Sequence, residues 1–374
     1  MTLEQKVAQL FVVSPETLTG VDSVQYAGDM TYQALQDYSV GGIVFEKDNI
    51  DSSSQFSTMT DNLQSYSEDI SGLPLFLAAA EEGGSASVLG NNDNLDEYYE
   101  NSYSDDDSDY SSSSANSVHS GAPSMSEIGR KNDSTNAYEA GKSIGSLMSA
   151  YGLNLDLAPV ADVLSGNSTG IGDRTFGTDA QTVSDMASEV IRGIQEEDVN
   201  AAMKYFPGYG AASSNMSGFP VINSSLDELK KKEFLPYSNA IAQGLDFIMV
   251  GHISVPNVTG DDTPASLSDK MISEVLRQDL GFKGIVMTDY LNDRTIVKNY
   301  SAADAAVKAI QAGADLLLEP DDLDAAYEGV LKAVKKGDIT EDRLDESIYR
   351  ILRVKLSMQD ESSDTTESES VSDY

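Results

Sequence analysis

A set of polar residues stands directly behind apolar runs in this chain. Glu81 and Glu82 follow PLFLAAA (74–80), Asp162 closes LNLDLAPVAD (153–162), and Lys204 lies in NAAMKYF (200–206). His252 ends DFIMVGHI (246–253), Asp289 ends GIVMTDY (284–290), and Glu319 ends ADLLLEP (314–320). Arg174, in the loop IGDRTFG (171–177), can reach the same region. A single polar residue in such a place is more often structural than functional. Several converging on one rim, with both charges and a histidine, make a binding or catalytic site. Asp289 is the sharpest candidate. A carboxylate carried on a rigid buried strand is held in near-attack geometry, as a covalent nucleophile requires. The competing reading is an Asp that caps the following helix, LNDRTIVKNY.

The elements that must position these groups repeat regularly. Strand-like runs lie at 9–14, 41–46, 74–80, 153–162, 200–206, 246–253, 284–290 and 314–320. Helical spacing fills the intervals, as in 135–152, 182–198, 322–337 and 341–357. The helix expected over 225–244 opens with the capping box Ser225-x-x-Glu228, and Pro236 should bend or interrupt it. Near-continuous apolar strands separated by helices indicate a parallel sheet covered by helices. Eight such units predict an α/β fold of the (β/α)8 barrel type, with ligands at the C-terminal ends of the strands. One barrel domain is expected over 1–357. The acidic segment 91–120 reads as a low-complexity insertion and 358–374 as a solvated tail, since neither has apolar periodicity to offset the entropy of ordering it.

Composition narrows the function classes. The 374 residues include no cysteine and two histidines, His119 and His252, so thiolate and histidine-rich metal centres are excluded and no metal or cofactor is expected. A formal charge of −38 argues against nucleic-acid and anionic-lipid partners. No apolar run is long enough to span a bilayer. A monomer is expected. The chain opens on the amphipathic TLEQKVAQLF rather than an export signal. That leaves two readings, a cytoplasmic protein or an extracellular or cell-surface one with its signal absent from this chain.

The succession TLEQKVAQLFVV, GGIVFEKDNI, AAAEEGGS, GLNLDLAPVADV, IGDRTFG, MKYFPGYG, IMVGHI, PASLS and LRQDLGFKGIVMTDYLN resembles glycoside hydrolase family 3, in its single-barrel β-N-acetylhexosaminidase branch. The resemblance covers nearly all of residues 2–320 apart from the acidic insertion. It implies a pocket for a terminal β-linked N-acetylglucosamine, with Asp289 as nucleophile. By the same likeness Arg174 and Lys204 contact the sugar, and His252 lines or supports the pocket. Glu82 and Tyr205 complete the expected binding set.

The departures from the family pattern fall in the pocket. Where the family carries Asp-x-Glu-Gly-Gly-Arg, the chain has Ala80 and Ser85 in place of the Asp and Arg. Two motif histidines are Tyr205 and Tyr209. The Asp-x-His acid/base pair is matched by Asn215-Met216-Ser217, allowing one gap. Retaining hydrolysis needs a nucleophile and a group that protonates the leaving oxygen and later deprotonates water. Ser217 cannot cycle a proton at pH 7, and tyrosines, with an ordinary pKa of about 10, do so poorly. Glu81, Glu82 and the acidic insertion supply carboxylates as substitutes, and a residue such as Glu97 could fold over the mouth. Three readings follow: an impaired hexosaminidase, a non-catalytic barrel that binds a sugar or cell-wall fragment, and an interaction protein without a ligand.

Overall fold

The computed structural model describes residues 1–95, 122–165, 171–213 and 218–369, the stretch 360–369 as backbone alone. Most of the acidic insertion, including Glu97, lies outside the described residues, as do Asn215 and Ser217.

Eight parallel strands form the centre: β1 (Phe11–Val13), β2 (Gly42–Val44), β3 (Phe76–Ala79), β4 (Leu155–Asp156), β5 (Asn200–Phe206), β6 (Phe247–Val250), β7 (Ile285–Thr288) and β8 (Leu317–Leu318). Each falls inside one of the eight apolar runs. Each pairs with its neighbour in chain order, and β8 returns to β1 through Phe11–Leu317 and Val12–Leu318. The ring closes between β7 and β8 through the Met287–Leu316 bridge and the Asp315 and Leu316 amides, which donate to the Val286 carbonyl. The fold is thus a (β/α)8 barrel. The strands are buried on both faces, which is why they read as continuous apolar runs rather than as alternating ones.

A helix follows every strand. The crossovers include Asp29–Asp37, Ser53–Ser71, Ser134–Ala150, Ala180–Gln195, Lys270–Asp279 and Ala302–Ala312, and the ring ends with Leu323–Lys336 and Glu341–Glu369. The expected helix over 225–244 is two, Leu226–Lys231 and Leu235–Ala242. Its capping box is present, and Pro236 sits in the first turn of the second piece, where a missing N–H does no harm. The final helix runs past 357 into the acidic tail. The fourth strand is much shorter than its run of 153–162, because Pro159 has no N–H to give to a ladder. The segment beyond Asp156 crosses the mouth instead, touching β5 at Val160–Lys204 and the Arg174 loop at Val160–Thr175. That irregular stretch delivers Asp162 beneath the KYFPGYG loop (204–210).

Candidate functional site

Asp289 leaves the end of β7 with its amide bonded to the Val250 carbonyl of β6. Its carboxylate does not cap the next helix. Asp293 does that, accepting from the Thr295 amide. Instead, Asp289 Oδ1 accepts from the Tyr290 amide at 2.9 Å, and Oδ2 accepts from the Tyr209 hydroxyl at 3.3 Å. One carboxylate oxygen thus meets the strand-5 loop and the other the backbone of the loop that follows β7.

The cations stand on the other side of the tyrosines. Glu82, 2% exposed, accepts from Arg174 Nε and Nη2 at 2.6 and 2.7 Å, and its Oε1 lies 2.5 Å from Lys204 Nζ. Burial alone would raise the Glu82 pKa, but the Lys204 and Arg174 charges outweigh it and hold the carboxyl below its ordinary value. Burial likewise works against the Lys204 ammonium, and the Glu82 charge outweighs it, so Lys204 titrates above its ordinary value. Arg174 Nη2 also donates to the Tyr205 hydroxyl at 2.6 Å. The Tyr205 and Tyr209 rings meet edge to face with centroids 5.3 Å apart. A continuous chain therefore runs from Glu82 through Arg174, Tyr205 and Tyr209 to Asp289.

His252 is committed elsewhere. Its Nε2 is 2.8 Å from the Tyr290 carbonyl and its Nδ1 is 2.7 Å from Ser266 Oγ. A carbonyl only accepts, so Nε2 carries a proton, and in the neutral ring Nδ1 accepts from Ser266. The imidazole thus fixes the peptide beside Asp289 and has no nitrogen left for a substrate.

The remaining strand-end carboxylates serve the frame. Glu81 is fully buried and accepts from the Leu89 and Gly90 amides. Asp162, 1% exposed, accepts from the Tyr205 amide at 3.3 Å and the Tyr209 amide at 3.0 Å. Burial pushes its carboxyl up to about 7 against those two bonds. Glu319 accepts from the Ser14 amide and hydroxyl and from Thr17.

Ala80 is half-buried and Ser85 exposed. With Glu46 and Asp48 they border a cavity of about 310 Å³ at the mouth over β2 and β3. Glu46 and Tyr290 were not singled out in the sequence, yet the Tyr290 hydroxyl donates to Glu46 Oε1 at 3.1 Å across the rim. Glu46 closes the run GGIVFE, so the strand-end rule that marks the other residues also marks it. Among the described residues no group of His, Cys, Asp and Glu is arranged to hold a metal ion, and no helix is long and apolar enough to cross a membrane.

Comparison with known proteins bears on the chain and its fold as a whole. The model of the glycosyl hydrolase family 3 N terminal domain matches residues 112–354. The chain is similar to beta-hexosaminidase LpqI of Mycobacterium tuberculosis, 27% identical over 362 residues that cover 94% of this chain and 82% of that protein. It is also similar to the structure of a glycoside hydrolase family 3 beta-N-acetylglucosaminidase from Paenibacillus sp. str. FPU-7, with a TM-score of 0.83 and 30% identity. That likeness covers 96% of this chain and 63% of the Paenibacillus chain. A family 3 glycosyl hydrolase structure from Mycobacterium smegmatis has a TM-score of 0.76 and 29% identity, covering 95% of this chain and 97% of the other.

Proposed function

The chain belongs to glycosyl hydrolase family 3, and on that premise we propose that it carries a retaining β-N-acetylhexosaminidase site with Asp289 as nucleophile and impaired proton transfer. The observation that carries this reading is the placement of Asp289 at the end of β7, with both oxygens oriented, across two tyrosines from the Arg174–Glu82–Lys204 cluster.

An Asp289 oxygen attacks the anomeric carbon of a terminal β-linked N-acetylglucosamine, and the bond to the leaving oxygen breaks with its electron pair. Water then attacks the same carbon, returns the electron pair to Asp289, and releases its proton to solvent. Arg174 and Lys204 are the donors for sugar hydroxyls, with Glu82 compensating their charge. The faces of Tyr205 and Tyr209 suit the C–H surface of a ring.

The first step needs a proton for the leaving oxygen, and the described groups supply none at neutral pH. His252 has both nitrogens bonded. The Tyr205 and Tyr209 hydroxyls are pushed above their ordinary range, chiefly by burial. Asp162 titrates near neutrality but is buried with both oxygens on backbone amides. Asn215 and Ser217 replace the pair that the family uses. Loss of general acid catalysis lowers the rate by about 10²- to 10⁴-fold.

The test compares leaving groups. A 2,4-dinitrophenyl N-acetyl-β-glucosaminide, whose leaving group needs no proton, should turn over, and Asp289→Asn should abolish it. N,N′-diacetylchitobiose should be hydrolysed at a rate lower by about 10²- to 10⁴-fold. Absence of turnover together with absence of a glycosyl adduct on Asp289 rejects the enzyme. The edge-to-face tyrosine pair favours a second reading, a barrel that binds sugar without cleaving it. Calorimetric heat with N-acetylglucosamine in a chain without turnover is the result that reading requires.

A further inference from the structure

Tyr209 takes part in a contact that neither the family likeness nor the proposed reaction assigns. We propose that Tyr209 is a positioning residue for Asp289: its hydroxyl, held by the His252 backbone amide, donates to one carboxylate oxygen while the Tyr290 amide takes the other. This inference rests on Asp289 being the nucleophile of the proposed reaction.

The direction of each bond follows from the groups themselves. The His252 amide can only donate, and it lies 3.0 Å from the Tyr209 hydroxyl oxygen. That contact uses a lone pair and leaves the phenolic proton for Asp289 Oδ2, 3.3 Å away. Tyr290 N–H donates to Oδ1 at 2.9 Å. Holding both oxygens restricts rotation of the carboxylate about its terminal bond. The Tyr209 contact is longer than a hydroxyl donor usually makes, and such contacts commonly shorten when a ligand closes the site.

The ring that carries this hydroxyl is fixed on several sides. The Tyr209 amide is bonded to Asp162, and the ring lies edge to face against Tyr205. On a third side β6 is followed by Gly251. A Cβ there would lie 3.0 Å from Tyr209 Cε2 and 3.2 Å from Cζ, and 3.2 Å from Tyr205 Cβ. A side chain there would press on both tyrosines and make them give way. A phenylalanine would fill the same space, so the hydroxyl is the part whose presence needs a role. The hydroxyl does not replace the missing proton carrier. Burial, reinforced by the Asp289 charge, keeps it protonated well beyond its ordinary range, so it remains a donor at working pH.

The test removes the hydroxyl and retains the ring. With the dinitrophenyl substrate, Tyr209→Phe should lower kcat by about 10- to 100-fold with KM little changed. Tyr209→His, which can still donate from a ring nitrogen, should recover part of the rate. A second arm needs no activity: with ¹³Cζ-labelled tyrosine, Tyr209→Phe assigns the resonance of Tyr209, and Asp289→Asn should move it and bring its titration down.

A resonance that Asp289→Asn leaves unmoved overturns the proposal. So does a loss of rate in Tyr209→Phe that accompanies a lower Tm and falls on KM rather than on kcat. If the parent chain fails to turn over the activated sugar while the resonance moves, the glycosidase reading fails and the Tyr209–Asp289 coupling stands.

Discussion

Glu82 shows how much one side chain determines here. Its single buried carboxylate compensates two cations, Arg174 and Lys204, and removing its charge would leave a buried ammonium without a partner. Breaking such a pair from one side costs about 3–5 kcal/mol, so Glu82→Gln should lower the free energy of unfolding by that amount in urea titrations. The pH dependence has a definite sign. The folded carboxyl titrates below its unfolded value of 4.5. Its contribution is therefore present above 4.5 and is lost as pH falls through the folded value. Glu82→Gln should flatten the acid side of the stability profile, and a profile unchanged below pH 5 would count against this account. The residue types behind Asp289, Arg174, Lys204 and Glu82 were legible in the sequence because strand ends converge in a barrel. The hydroxyl contacts of Tyr209 and the tautomer of His252 were not, since they depend on which neighbours those side chains meet.

At the scale of the element, the loop KYFPGYG is held from beneath. Gly208 has φ of 118°, a left-handed conformation that a side chain would strain, and the turn places the Tyr205 and Tyr209 amides on the Asp162 carboxylate. Burial raises Asp162 from 3.8 to about 7, so between those values the folded state holds a proton that the unfolded state has released. Stability from this group is complete below the unfolded value and declines as pH rises through about 7. Asp162→Asn should remove that decline, keeping its urea midpoint level from pH 5 to 7 while the parent chain loses stability. The eight strands could be read from the sequence because burial on both faces leaves uninterrupted apolar runs. The break of 225–244 into two helices at Pro236 could be read as well. The shortness of β4 could not, because Pro159 interrupts a ladder whose partner strand is remote in the chain.

For the molecule as a whole, the floor of the barrel joins the two ends of the chain. Lys355, on the last helix, is fully buried, donates to Gln9 Oε1 at 2.9 Å, and lies 5.0 Å from the centre of the Phe76 ring. Nearby, Asp315 at the start of β8 bonds Arg277, Arg350 and Ser347. Burial works against its charge, but Arg277, Arg350 and Arg343 outweigh it and hold the carboxyl below the usual range. Among the described residues Lys355 has no such carboxylate partner, and burial lowers it from 10.5 to about 7. Between those values the unfolded chain holds a proton that the folded chain has lost, so stability should rise with pH from 7 toward 10. Lys355→Met should raise Tm by a few degrees at pH 6, where the buried charge is present in full. The advantage should shrink as pH rises to 9, and scanning calorimetry at both values measures it.

The sequence by itself determined the barrel, the rim at which barrels of this type bind ligands, and the polar residues offered there. Those follow from local rules: apolar runs must be buried, helices must cover them, and a parallel strand presents its C-terminal end to one rim. Only the tertiary structure decided how each polar group is used. Glu81, Asp162 and Glu319 look equivalent to Asp289 and Glu82 in the sequence, since all five are carboxylates behind apolar runs. In the folded chain the first three accept from backbone amides of neighbouring loops, while Asp289 and Glu82 meet tyrosines and cations. A carboxylate's role depends on the donors within about 3 Å of it. Apart from the Leu89 and Gly90 amides on Glu81 and the Tyr290 amide on Asp289, those donors come from segments tens to hundreds of residues away.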